Sequence, residues 1–216
     1  IGNPGIRVYR YSYDEPCDFY ARNVTLLEGG HYRYDLVTPG GVIEGCTLGI
    51  PGWVNIENAV AAVAALWCAS ERDGEPLDAE RLREALASFE GVKRRFEFYV
   101  NTPRQVYMDD YAHHPTELRA TLNTAKEMGY KRLIAVHQPF TYSRTKMLFN
   151  DFVDVLKIPD VAVITPIMGS REPNDPTITS AKLAAQIPNS VLVDSLEAAA
   201  EEKVAFVFMG HGTAHV

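Results

Sequence analysis

Apolar and polar positions follow two different rhythms along the chain. Over residues 6–49 the period is two. "IRVYRYSY" alternates as a half-buried strand does, and "EGGH" and "TPGG" are turn signals between further strand-like runs. This predicts a meander of antiparallel strands. "NIENAVAAVAALWCA" is apolar nearly all round, which predicts a buried helix. Asn55 or Asn58 is its expected cap. In "LDAERLREALASF", Leu77, Leu82, Leu86 and Phe89 share one face, with Asp78 as N-cap.

The rhythm changes at "EGVKRRFEFY", where Gly91 ends a helix and a basic cluster follows. From about residue 97 strand and helix alternate. The strands are "RQVYMDD", "KRLIAVH", "VAVITPI", "SVLVD" and "VAFVFMG"; the helices fall near 115–128, 144–157, 180–187 and 195–203. Pro115 suits a first helical turn and Gly129 its end, with Leu118, Leu122, Ala125 and Met128 as the buried stripe. Such alternation predicts right-handed β-α-β units, hence an α/β fold with a mainly parallel sheet and helices on both faces. The expected domains are 1–90 and 91–216. Open parallel sheets bind ligands beyond the carboxyl ends of their strands. "DDYAHHP", "HQPFTYSRT", "MGSREPND" and "MGHG" all fall there.

Composition narrows the function classes. The chain has 216 residues and a net charge of −7, which argues against binding a nucleic-acid backbone. A small anion needs only local arginines and stays open. Cys17, Cys46 and Cys68 are too scattered for a zinc knuckle or disulfide framework, and a reducing compartment fits them. No apolar run approaches the roughly 18 residues of a membrane helix, and no signal peptide is evident. The start at Ile1 suggests a processed chain or a piece of a longer one.

The densest chemistry is "MDDYAHHPTE", with Asp109, Asp110, His113 and His114. Acids near a helix start are favoured by its dipole. Two acids with two histidines also fit a zinc or manganese site, as in a metal-dependent phosphoesterase. A third reading is a nucleotide and substrate site, and a non-catalytic nucleotide-binding module is a variant of it. Arg144 opens a helix behind Thr141 and Ser143, which are natural caps. A cation there opposes the dipole, so an anionic partner explains it; a solvated surface arginine is the alternative. Arg171, at the next strand end, invites the same argument, and the two arginines suit forked hydrogen bonds to a carboxylate or phosphate. Lys93, Arg94 and Arg95 are either a solvated cluster or phosphate contacts. Asn55 and Asn58 are caps or readers of an adenine edge. His211 and His215 sit in the tail. Phosphate-loop, G-x-G-x-x-G and G-x-S-x-G motifs do not occur in this sequence.

Several of these segments together resemble the Mur ligase family of bacterial cell-wall synthesis. "NIENAVAAVAAL", "FEGVKRRFE", "DDYAHHPTELRATL", "QPFTYSRT" and "REPNDPTITSAKLA" follow its motifs in order. The resemblance implies the late part of a central ATPase domain at 1–90, lacking the phosphate loop, and a Rossmann-like C-terminal domain at 91–216, with 91–96 as hinge. It implies ATP-dependent amide-bond formation through an acyl phosphate in peptidoglycan synthesis, in the cytoplasm. The implied substrates are UDP-N-acetylmuramate and L-alanine, and the implied partners are upstream domains of the same chain that supply the Mg²⁺ ligands. Asn55, Asn58, Arg95 and Asp110 resemble ATP contacts; no metal ligand is implied here. Tyr111, His113, Arg144 and Arg171 resemble substrate contacts, with His113 and Arg144 placed at the chemistry, holding the amino-acid carboxylate and the developing oxyanion. Val54, Phe140, Thr141 and the "GHGTAH" tail depart from the family pattern.

Overall fold

The computed structural model describes residues 6–195 and 207–209. They form two compact units, divided between Glu90 and Gly91. The helix expected near 195–203, apart from Ser195, and the tail with His211 and His215 lie outside the described residues.

The first unit carries the sheet β1(Tyr11–Ser12), β2(Phe19–Leu26), β3(Tyr32–Thr38), β4(Gly41–Thr47), in that order. β2, β3 and β4 form the expected antiparallel meander. "IRVYRYSY" does not form the expected long strand. Only Tyr11 and Ser12 pair, and they run parallel to β2. Ile6 and Val8 are 66% and 77% exposed, while Tyr9 and Tyr13 on the other face pack against the core without the segment pairing as a strand beyond Tyr11 and Ser12. Both meander pairings shift register, between Arg22 and Thr25 and between Tyr34 and Leu36. Asp35 holds this irregular region, accepting from the Gly45 amide at 2.9 Å and the Asn23 side chain at 2.7 Å. Those bonds keep its carboxyl below the ordinary range.

Helix α1(Trp53–Asp73) lies on this sheet through Ile56, Ala59, Val60 and Val63. It is not buried all round as expected, since Leu66 is 48% exposed. Nor do the asparagines cap it. The helix starts at Trp53 behind Gly52, which places Asn55 and Asn58 inside its first turns. Helix α2(Ala79–Ala87) is capped as its sequence predicts, with Asp78 accepting from the amides of Glu80 and Arg81. Gly49 allows α2 to end against the segment leaving β4. A Cβ there would meet the Ala87 carbonyl oxygen at 2.7 Å and the Phe89 carbonyl oxygen closer still.

The second unit holds a six-stranded sheet ordered β5-β6-β10-β7-β8-β9. Its strands are β5(Glu97–Asn101), β6(Val106–Asp110), β7(Ile134–His137), β8(Val161–Ile164), β9(Ser190–Leu192) and β10(Val207–Met209). All neighbours run parallel except the edge strand β5, which the sequence pattern does not separate from its hinge and which forms a hairpin with β6. Helices α3(Pro115–Glu127), α5(Phe149–Val155) and α6(Ser180–Ala184) pack on one face, where Leu118, Leu122, Phe152, Val155 and Leu183 meet Met108, Ala135, Ala162 and Ile164. The leucine, valine, isoleucine, methionine and phenylalanine side chains among these stabilise by about 1.5–3 kcal/mol each when buried. Ile134, Val136 and Val163 form a smaller cluster on the opposite face. The single helix expected over 144–157 is two, α4(Tyr142–Met147) and α5, because Leu148 leaves helical geometry at φ −107°, ψ 25°.

Candidate functional site

The site is built at the carboxyl ends of β6, β7 and β8. Asp110, the last residue of β6, is only 6% exposed. Its two oxygens accept the Phe96 amide and the Ala112 amide, both at 2.8 Å. Burial raises its carboxyl above the ordinary value against the pull of those amides, the Thr121 side chain and the Arg95 charge. Asp110 therefore acts locally as a clamp. It fixes the residue after Arg95 and the residue before His113.

Asp109 points to the opposite face of β6 and pairs with Arg94 at 3.2 Å. Burial raises its carboxyl too, with Arg94 opposing. Arg94 also lies over the Tyr111 ring, 5.0 Å from its centroid, and its carbonyl accepts the Tyr111 amide at 2.7 Å. The basic "KRR" segment is thus split: Arg94 is folded back on the strand end, while Lys93 and Arg95 are exposed.

The two histidines separate. His114 is the N-cap of α3, accepting the Thr116 amide at 3.3 Å, and Glu117 completes a capping box by taking the amides of His113 and His114. Burial works to raise the Glu117 carboxyl, but those amides and the nearby His113 and Arg95 charges hold it below its usual value. Glu117 was not foreseen, although an acid three residues after a cap is the signature of such a box. His113 is half-buried, with Nδ1 at 3.0 Å from the Tyr111 carbonyl oxygen. A carbonyl only accepts, so Nδ1 carries the proton and Nε2 is the basic nitrogen of the neutral ring. Burial, then the charges of Arg144 and Arg95, push the His113 pKa down, while Glu117 pulls it up.

Arg144 lies in the first turn of α4. Its Nη1 donates to the Phe140 carbonyl at 3.3 Å and its guanidinium lies 5.8 Å from the Phe140 ring centroid. Thr141 is at the N-cap position, yet its side chain caps nothing. The Ser143 amide goes instead to Glu172, on the loop after β8. Arg171, next to Glu172, is exposed.

The charges of Arg144, on α4, and of Arg95 thus both act on His113, just before α3. That is a suitable cradle for an anionic group. Asn55 and Asn58 belong to the first unit. Asn55 donates to the Pro51 carbonyl at 2.6 Å, and Asn58 reaches Asn55 Oδ1 at 3.5 Å. The metal-dependent phosphoesterase reading loses its ligand set, since Asp109, Asp110, His113 and His114 each turn to a different partner. Among the described residues no three His, Cys, Asp or Glu side chains gather as a metal site. Among those residues, too, no helix is long and apolar enough to cross a membrane.

A family model described as "Mur ligase, glutamate ligase domain" matches residues 94–211. A UDP-N-acetylmuramate–L-alanine ligase of Agathobacter rectalis is 38% identical over 174 residues, covering 81% of this chain and 37% of that protein. The protein of the same name from Pediococcus pentosaceus is 34% identical over 215 residues, covering 97% of this chain and 48% of that protein. The crystal structure of UDP-N-acetylmuramate-alanine ligase from Thermotoga maritima shares the fold with a TM-score of 0.74 at 24% identity, over 94% of this chain and 44% of that one. Folylpolyglutamate synthase from the same organism shares it with a TM-score of 0.60 at 22% identity, over 89% of this chain and 44% of that one. The chain spans less than half the length of these relatives.

Proposed function

The chain belongs to the Mur ligase family, and from that premise we propose that it is the late part of a cytoplasmic, ATP-dependent ligase that joins L-alanine to UDP-N-acetylmuramate in peptidoglycan synthesis. The observation that carries the reading is the placing of His113 and Arg144 on the loops and helix starts that follow β6 and β7 of one parallel sheet, where the charges of Arg144 and Arg95 act on His113. Residues 1–90 would be the end of the ATPase domain and 91–216 the C-terminal domain. ATP supplies the phosphoryl group that converts the muramoyl carboxylate into an acyl phosphate; the amine then attacks the acyl carbon and phosphate leaves.

The residues of this chain act by position and charge. Arg144 takes the alanine carboxylate in a forked contact, with Tyr111 beside it. Arg95 faces phosphate, and Arg171 is a further anion contact. Asn55 and Asn58 serve the adenine, which requires their present side-chain bonds to exchange. Asp110 acts on the nucleotide side by holding the segment that carries Arg95. His113 takes a different part from that of a donor to an oxyanion. As a neutral ring with its proton on Nδ1, it offers Nε2 to accept a proton from the incoming amine. Mg²⁺ ligands belong to the upstream part of the enzyme. This sequence contains no phosphate loop, so this chain alone is expected to be inactive.

The test is steady-state kinetics of the full-length protein. Arg144→Ala should lower kcat/KM for L-alanine by roughly 100-fold, as loss of a positioning contact does. Unchanged alanine kinetics would remove Arg144 from the site. Alanine-dependent ATP hydrolysis by this chain alone would refute its expected inactivity.

A further inference from the structure

Helix α4, which carries Arg144, is six residues long. A helix that short does not hold its own orientation in water. Its fixed position comes from the loop between β8 and α6. The Glu172 carboxylate accepts the Ser143 amide at 2.9 Å and also the Ser143 hydroxyl. At the other end of α4, Lys146 reaches Asp175 at 3.1 Å and the Thr177 hydroxyl at 2.8 Å. Between these, the Met168 amide donates to the Pro139 carbonyl at 2.9 Å, and Phe140 pairs with Met168 as an isolated bridge. Gly169 lies so close to Tyr142 that a Cβ would come within 2.5 Å of the ring. The two loops therefore form one unit.

Within it Glu172 supplies what Thr141 does not. It gives the first turn of α4 an acceptor, from 29 residues away, and it places a negative charge at the helix start. Its carboxyl is held below the ordinary value by the Ser143 hydroxyl and then the Ser143 amide, so it stays ionised near neutral pH. Ser143 immediately precedes Arg144.

We infer that Glu172 is the positioning residue for Arg144: by fixing the Ser143 backbone it sets the direction in which the guanidinium meets its anionic ligand. The inference deepens the reading of Arg144 as the alanine-carboxylate contact and rests on it for the identity of the ligand.

Two measurements separate the latch from the ligase reading. The first is hydrogen exchange on this chain. Glu172→Ala should speed exchange of the Ser143 amide about tenfold, while Glu172→Gln, which keeps an acceptor, should leave it protected. An amide equally protected in Glu172→Ala overturns the latch. The second is kinetics of the full-length protein. Glu172→Ala should raise KM for L-alanine about tenfold with KM for ATP within about twofold, and Glu172→Gln should restore most of the loss. In an Arg144→Ala background, Glu172→Ala should add nothing further. Equal alanine KM in Glu172→Ala and wild type, or additive effects of the two substitutions, overturns the inference. A wild-type enzyme that turns over no L-alanine overturns the ligase reading instead, and hydrogen exchange still decides the latch.

Discussion

The Asp110 carboxylate accepts the Phe96 amide at 2.8 Å, so the end of β6 also holds the segment entering β5. The other oxygen does the same for Ala112. One buried side chain thereby sets the backbone on the far side of Arg95 and the near side of His113. Asp110→Ala leaves two buried amides without acceptors, each costing about 1–3 kcal/mol, so it should destabilise the second unit by roughly 2–6 kcal/mol. Asp110→Asn, which trades one acceptor oxygen for a donor, should cost about half as much. Urea unfolding followed by far-UV circular dichroism measures this. Tryptophan fluorescence should not see it, because both tryptophans, Trp53 and Trp67, lie in the first unit.

His113 offers a second test. Its pKa is depressed by burial first and by Arg144 and Arg95 next. In a proton NMR titration its midpoint should fall below about 6.5, the unperturbed value. Removing Arg144 should move the midpoint up, and Glu117→Gln should move it down. A folded pKa below the unfolded one means that the unfolded chain binds more protons between the two values. The His113 contribution to stability is therefore complete above about 6.5 and is lost as pH falls through the folded midpoint. Movement of the midpoint in the same direction in both variants would contradict the arrangement of charges described for the ring.

These residues also show what was legible beforehand. The α/β alternation of the second unit was, because each strand is a short apolar run and α3 carries both its Pro115 start and its Gly129 stop. The gathering of "DDYAHHP" and "QPFTYSRT" at strand ends followed from that alternation. The division of labour inside "DDYAHHP" was not legible, since alternation on β6 sends Asp109 and Asp110 to opposite faces and only the packing shows what each face meets. Glu172 carries no local signal at all, because its partner Ser143 is 29 positions away. "IRVYRYSY" misled for the converse reason: period two reports that one side is covered, here through Tyr9 and Tyr13, but a strand also needs a paired neighbour, and only Tyr11 and Ser12 have one.

Acid should loosen the lower end of the α4 latch. Asp175 is held down to about 2 by the Thr177 hydroxyl and amide and by Lys146. With the folded value below the unfolded one, its stabilising effect is present above about 3.9 and is lost as pH falls toward the folded value. Carbon-detected NMR of the side-chain carboxyl should give the low midpoint, and Lys146→Met should raise it. A midpoint in the ordinary aspartate range would mean that Lys146 and Thr177 do not hold this carboxylate.

The first unit yields the most local prediction. Gly49 donates its amide to the Leu86 carbonyl at 3.1 Å, which brings the segment after β4 against the end of α2. The atoms that a Cβ would strike are the backbone oxygens of Ala87 and Phe89, not the end of a flexible side chain. They can yield only if α2 moves, and α2 carries the buried Leu82 into the same core as Ile56 and Val60. Gly49→Ala should therefore cost about 1–3 kcal/mol through overpacking, although alanine is ordinarily a mild replacement. Here fluorescence is the right probe, since Trp67 packs edge-on against Phe19 at 5.5 Å in that core. Gly49→Ala should lower the urea midpoint seen by fluorescence and leave amide signals of the Asp110 clamp unchanged. An unshifted fluorescence midpoint would mean that the close approach of Gly49 to α2 is not maintained in solution.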